Sequence, residues 1–434
     1  MIKVYIETYG CQMNDYDTEI VKTILKKNHY GFTDNPEEAQ VIFLNTCSVR
    51  EHAHRKVHHR INVLKQLRRK RKDLIMGVLG CMAQSLRKEL LEEKVGVDII
   101  AGPDSYKNLP TLIDQVKETG EKEFNLTLSE FETYSDVFPT PDGGVNAWLA
   151  VMRGCDNFCS FCVVPYTRGR ERSRDPLNIV EEVTKLADQG FVQVTLLGQN
   201  VNSYKYDRYD FADLVKMVSK VNGIRRIRFT SPHPKDFPKK LIEVVAQNDK
   251  VCKQIHLPLQ AGNDRILQLM NRTYTQNEFL DLVYEIKTKI PHVALSTDVI
   301  VGFATESEEE YQDTLKVMQI VNFDSAFMFK YSERMNTIAQ RKYPDNVLEE
   351  EKTSRITRLV DLQRKISYRK NQESLGKTYE VLVEGPSKKP NQLFGRNDSN
   401  KIVVFPDQCQ RVGDFVHVKI DEVTPNTLIG TLKV

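Results

Sequence analysis

The sequence predicts an α/β chain in three parts: an N-terminal parallel α/β domain, a central partial (β/α)6 barrel, and a small all-β barrel at the C-terminus. Three observations carry this. Strand-like apolar runs alternate with helical stretches from the start, the alternation resumes after a polar break, and the last sixty or so residues change to short β-rich runs with Gly and Pro turns.

Each element follows in order. The first domain spans 1–118, with strand-like runs KVYIETYG (3–10), VIFLNTC (41–47), LIMGVLGC (74–81) and VDIIAG (97–102). Residues 119–144 are polar, carry Pro139, Pro141, Gly143 and Gly144, and read as a linker. The barrel spans 145–372, with strands AWLAVMRG (147–154), VQVTLLGQ (192–199), RRIRFTS (225–231), KQIHLPLQ (253–260), VALSTDVIVGF (293–303) and SAFMFKYS (325–332). Function is expected at the carboxyl ends of these strands. A charged helical stretch over 347–374 leads to the terminal barrel, 375–434, with strands KTYEVLVEG, KIVVFP, DFVHVKIDEV and LIGTLKV.

Composition excludes some classes. No apolar run approaches the ~18 residues of a membrane helix, and MIKVYIETYG lacks the features of a signal peptide. A cytoplasmic location without membrane contact is expected. The net charge of +3 decides nothing about partners. In such a compartment the eight cysteines are expected to serve metal binding or catalysis where they cluster, not disulfides.

Cys155, Cys159 and Cys162 cluster in RGCDNFCSFCVVPYTRGRERSR, spaced C-x3-C-x2-C. Three thiolates on one loop suit an iron–sulfur cluster or zinc. A cubane held by three ligands keeps one iron open, whereas structural zinc normally closes with four ligands. The loop follows the first barrel strand, where ligand loops belong. With Phe161 before the third cysteine, the motif resembles the signature of radical-SAM enzymes. That resemblance implies a 4Fe-4S cluster whose open iron binds S-adenosylmethionine and generates a 5′-deoxyadenosyl radical. Structural zinc and an ordinary electron-transfer cluster are the alternatives.

Cys11, Cys47 and Cys81 stand 36 and 34 residues apart, each at or just after a predicted strand end. Parallel strand ends share one edge of a sheet, so three thiolates one βα unit apart can meet and hold a second cluster. Buried structural cysteines are the alternative. The surrounding words ETYGCQMN, NTCSVRE and LGCMAQ resemble the N-terminal domain of methylthiotransferases, and the terminal barrel resembles a TRAM module. The resemblance covers essentially the whole chain. It implies that Cys11, Cys47 and Cys81 hold an auxiliary 4Fe-4S cluster, with Gln12 and Asn14 of CQMN at the substrate. Cys252 and Cys409 lack such a setting and read as packing or surface residues.

Polar residues at barrel strand ends suit the cofactor: Gln199 and Asn200, Ser231 and His233, Gln260, Asp298 and Glu306. Local turn or capping chemistry competes for each, and neither His233 nor His256 is assigned to metal. Three motifs depart from the family pattern, at four positions. VGFATES has Ala304 and Thr305 where Pro and Gly are usual, Ala261 replaces a serine, and Asn336 in YSERMNT replaces a glycine.

Basic residues concentrate at 50–72, including Arg68, Arg69 and Arg71, and in YTRGRERSR after the radical motif. Such clusters supply affinity for phosphate backbones, although a solvated helix face is the plainer reading. Arg153, Tyr166 and Arg168 join them as substrate candidates, and a terminal β-barrel beside these patches suits RNA. The subgroup words imply methylthiolation at C2 of N6-isopentenyladenosine just 3′ of the anticodon in tRNA. The family implies two S-adenosylmethionine molecules per turnover, a flavodoxin- or ferredoxin-type electron donor and a sulfur source. A monomer is expected. The alternatives are methylthiolation of threonylcarbamoyladenosine or of a ribosomal-protein aspartate, and a non-catalytic, metal-containing RNA-binding protein.

Overall fold

The computed structural model describes residues 1–48, 51–92, 95–139, 141 and 143–433, without the side chains of 51–55. Arg50, at the head of the basic run, lies outside the described residues.

Six parallel strands form the first sheet, in the order Gly31–Phe32, Lys3–Tyr9, Val41–Thr46, Ile75–Gly80, Ile99–Ala101 and Glu123–Asn125. Val41–Thr46 and Ile75–Gly80 are buried along their full length, as strands covered on both faces must be. Phe43 and Leu79 pack beneath helices Gln12–Lys27 and Leu109–Thr119, while Ile42 and Val78 pack beneath Glu51–Lys70. The stretch read as a linker contributes to this domain. Glu123–Asn125 adds the last strand, and Tyr134 is buried with its ring stacked on Tyr106 at 5.6 Å. A three-residue edge strand in a polar segment shows too little periodicity to be read from sequence.

The central domain has all six expected strands in sequential order: Asn146–Ala150, Gln193–Leu197, Arg226–Phe229, Gln254–His256, Ala294–Val301 and Ser325–Lys330. They form two parallel three-stranded sheets joined by one parallel bridge, Ile227 to Val251. The terminal domain is a closed five-stranded barrel. Its strand Gln392–Asn397 escaped the sequence reading because Gly395 interrupts the apolar alternation. A Cβ at Gly395 would lie 2.0 Å from the Leu382 carbonyl oxygen, so the crossing of the two strands requires glycine.

The terminal barrel docks on the amino ends of the central strands. Arg226 donates to the carbonyls of Arg396 (2.7 Å) and Glu380 (2.9 Å), and Arg228 to those of Asn397 (2.8 Å) and Asp398 (3.0 Å). The Lys253 amide donates to the Asp398 carboxylate at 2.9 Å. The small barrel therefore sits at the end of the central strands opposite the cysteine loop and the basic run that follows it. Among the described residues no helix is long and apolar enough to cross a membrane.

Candidate active site between two cysteine trios

Sheet register brings the dispersed cysteines together. Tyr9 is paired with Thr46, and Thr46 with Gly80, so the three residues form one row across adjacent strands. Cys47 and Cys81 follow that row directly and Cys11 comes one residue later, with strands about 4.8 Å apart. Gly10 makes the approach possible: at φ +131, a Cβ there would lie 2.2 Å from the Cys47 Cβ. Cys11 caps the helix Gln12–Lys27, whose amino end favours negative charge. A hydrogen bond with Cys47 holds the Cys11 thiol down at about 6, against burial, with Arg168 adding to the effect. Burial raises the Cys81 thiol, which Arg168 opposes.

The second trio lies on the loop after the first barrel strand, as expected. Gly154 lets this loop turn back, since a Cβ there would lie 1.9 Å from the Arg170 carbonyl oxygen. Burial pushes Cys155 and Cys162 up to about 12. The buried Arg272 donates from Nη1 to the Cys159 sulfur at 3.4 Å. Among the described residues no three Cys, His or acidic side chains converge on one metal ion. A multi-iron cluster spreads its ligands over several metal atoms, so its thiols need not share one point.

The two carboxyl edges face each other across a buried polar interface. Asp17, inside the helix Gln12–Lys27, accepts from Arg153 at 2.6 Å and from Arg168 at 2.8 Å. Arg168 also donates to Asn14 Oδ1 (3.0 Å) and, through Nε, to the Cys81 sulfur (3.1 Å). Arg172 pairs with Asp104 (2.9 Å), and Arg174 reaches Tyr16 (3.0 Å) and Glu182 (2.6 Å). Arg153, Arg168 and Asn14, expected at the substrate, are thus buried in protein contacts. Their ion pairs and amide contacts hold the two domains together, while Nε and Nη1 of Arg153 and Nη1 of Arg168 stay buried without a protein partner. Gln12 is exposed, and Tyr166 is half-buried, edge-on to Phe158, its hydroxyl 3.5 Å from Arg341.

The cofactor candidates divide. Gln199 Oε1, Asn200 Oδ1 and His233 Nε2 are buried without a protein partner, the condition of groups that await a ligand. Burial holds the His233 imidazole neutral, at about 2. Phe158, Ser231 and Gln260 adopt positive φ at this mouth, where backbone strain commonly marks function. Phe161 packs on the barrel core. Asp298 faces His256 at 3.3 Å. Glu306 braces its loop through Oε2, which accepts from the Gly302 amide (2.6 Å) and pairs with the buried Arg355 (2.9 Å), while its Oε1 is buried without a protein partner. Thr305 keeps the left-handed backbone usual for glycine, φ +67, held by Arg265 and Asn346. Asn336 does the same at φ +68, and Ala261 is simply core.

The arginines of the basic helix divide. Arg68 pairs with Asp98 (2.7 Å), and Arg71 donates to the carbonyls of Glu37 and Ala39 (2.8 and 2.7 Å). Both staple the amino edge of the sheet, about 30 Å from the cysteine row along a 20-residue helix. Arg69 is exposed.

A C-x3-C-x2-C loop at the mouth of a six-stranded partial barrel, faced by a domain with its own cysteine trio, defines a radical-SAM enzyme built around two thiol sites. Family models agree: residues 3–102 match "Uncharacterized protein family UPF0004", 149–318 the radical SAM superfamily, and 372–433 the TRAM domain. A tRNA-2-methylthio-N(6)-dimethylallyladenosine synthase of Parabacteroides distasonis is 48% identical over 435 residues, covering 99% of this chain and 95% of the relative. The one of Porphyromonas gingivalis is 49% identical over 438 residues, covering 99% and 94%. The chain belongs to this family of tRNA-2-methylthio-N6-dimethylallyladenosine synthases. Among solved structures it resembles TsrM, a radical S-adenosylmethionine methyltransferase from Kitasatospora setae, with a TM-score of 0.59 at 13% identity over 78% of this chain and 77% of that one. It also resembles the cobalamin-dependent radical enzyme OxsB, with a TM-score of 0.55 at 13% identity over 82% and 56%. At such identity these two likenesses concern the fold alone.

Proposed function

We propose that this chain inserts a methylthio group at C2 of N6-isopentenyladenosine, just 3′ of the anticodon in tRNA. The single observation that carries the reading is the opposition of two cysteine trios across one buried interface, in a chain of this family. Cys155, Cys159 and Cys162 would hold one 4Fe-4S cluster and Cys11, Cys47 and Cys81 a second. The thiol sets, and the buried arginine beside each, suit anionic clusters. With S-adenosylmethionine, used twice per turnover, these groups would supply the radical chemistry that an unactivated C–H bond requires.

The chain's own side chains bind and orient. The orphaned atoms of Gln199, Asn200 and His233, with Ser231, Gln260 and Asp298 nearby in the fold, offer polar partners for S-adenosylmethionine at the strand ends. Tyr166, Gln12 and the exposed Arg69 are the remaining contacts for tRNA. A loop nucleotide is already partly unstacked, which eases delivery of the base between the two sites. An electron donor of flavodoxin or ferredoxin type, a sulfur source, a monomeric state and a cytoplasmic setting complete the reading. Mass spectrometry of tRNA nucleosides from cells with and without the gene tests it. The methylthio nucleoside should disappear with the gene while its isopentenyl precursor accumulates. Loss of a methylthio-threonylcarbamoyl nucleoside instead would reassign the substrate.

A further inference from the structure

We propose that Arg168 is a positioning residue for the cluster on Cys11, Cys47 and Cys81, setting the charge that this cluster feels from across the domain boundary. The proposal rests on the reading of that trio as a cluster site.

Arg168 belongs to the other trio's loop. It ends the short helix Val164–Arg168, six residues after Cys162, yet its guanidinium crosses to the N-terminal domain. Nε donates to the Cys81 sulfur at 3.1 Å, and Nη2 to Asn14 and Asp17 at 3.0 and 2.8 Å. Nη1 is buried without a hydrogen-bond partner. That leaves the two N–H donors of Nη1, on a permanently charged group beside the thiols, available to a further acceptor.

Charge accounting points the same way. Asp17 is shared by two buried guanidiniums, those of Arg153 and Arg168. One carboxylate against two cations leaves one buried positive charge in excess, and buried charge is costly unless paired. Thiolates and the cluster they carry supply the missing negative charge. Hydrogen bonds and net charge at cluster sulfurs set the reduction potential. A cation at the Cys81 sulfur favours the reduced, more negative state. Arg168 therefore both ties the two cysteine loops together and holds the potential of the second cluster up. Loss of a side chain that merely cements the interface would admit water to the cluster and move that potential the other way, upward.

The test uses the full-length chain with Cys155, Cys159 and Cys162 changed to alanine, so that only the triad's cluster reports. After anaerobic reconstitution with iron and sulfide, its midpoint potential is read by electron paramagnetic resonance during a redox titration. Arg168→Gln should move the potential to more negative values. Arg168→Lys, which keeps the charge but loses the Nε donor, should move it in the same direction by less. Unchanged or higher potentials in both variants, with about four irons bound, would overturn the proposal and leave the two-cluster reading intact. If Arg168→Gln fails to fold, an unchanged or higher potential in Arg168→Lys overturns it alone. A background chain that binds no iron would sink the second cluster, and this proposal with it.

Discussion

Asp17 shows how one residue holds the site together. It sits on the apolar stripe of its helix with Met13, Tyr16, Ile20 and Ile24, fully buried and paired with Arg153 and Arg168. Removing it strands two buried cations, and breaking a buried pair typically costs about 3–5 kcal/mol. Asp17→Ala should therefore lower the unfolding free energy by about that amount in denaturant titrations. The pH dependence has a definite sign. Burial resists ionisation of Asp17, but the two guanidiniums outweigh it and lower the carboxyl pKa. Its contribution is present above the unfolded value of about 3.9 and is lost as pH falls through the lower folded value. The gap between wild type and Asp17→Ala should narrow in that acid range; a gap that stays constant or widens would refute the pairing. A carboxylate on an apolar stripe is a visible anomaly in the sequence. Its partners are not visible, since they lie 136 and 151 residues away. Arg272 was missed for the same reason: its partner Cys159 is 113 residues away in sequence.

At the scale of elements, strand ends were the most legible feature. Long apolar runs ending in Gly-Cys or Thr-Cys predicted a common edge, and the row Tyr9, Thr46, Gly80 provides it. The short strands Gly31–Phe32 and Glu123–Asn125 were not legible, because two or three residues carry no period. In the basic helix, composition does not say which arginines pair within the protein. The helix's direction, from the cysteine edge to the opposite edge, decides which arginines meet the sheet and which meet solvent. The terminal barrel likewise has a structural duty that its RNA-binding resemblance did not reveal. Deleting residues 375–434 removes the carbonyl partners of the largely buried Arg226 and Arg228, and orphaned buried donors each cost about 1–3 kcal/mol. The truncated protein should melt at a lower temperature in calorimetry, alongside any loss of tRNA binding. An unchanged melting temperature for the central domain would show the docking to be dispensable.

Over the whole molecule, the three domains stack in a functional order. The amino edge of the first sheet lies at one end, its cysteine edge meets the mouth of the central barrel, and the terminal barrel closes the other end of the central strands. The two trios are held on either side of one buried, ion-paired boundary, which suits a reaction that needs radical generation and sulfur delivery at the same base. The division of labour is the central claim, and one paired assay tests it. Reconstituted full-length protein is given reductant, S-adenosylmethionine and isopentenylated tRNA, and deoxyadenosine and methylthio nucleoside are quantified together. Changing Cys155, Cys159 or Cys162 to alanine should abolish both products. Changing Cys11, Cys47 or Cys81 to alanine should spare deoxyadenosine and abolish only the methylthio nucleoside, whereas normal methylthio product from any triad variant would contradict the claim.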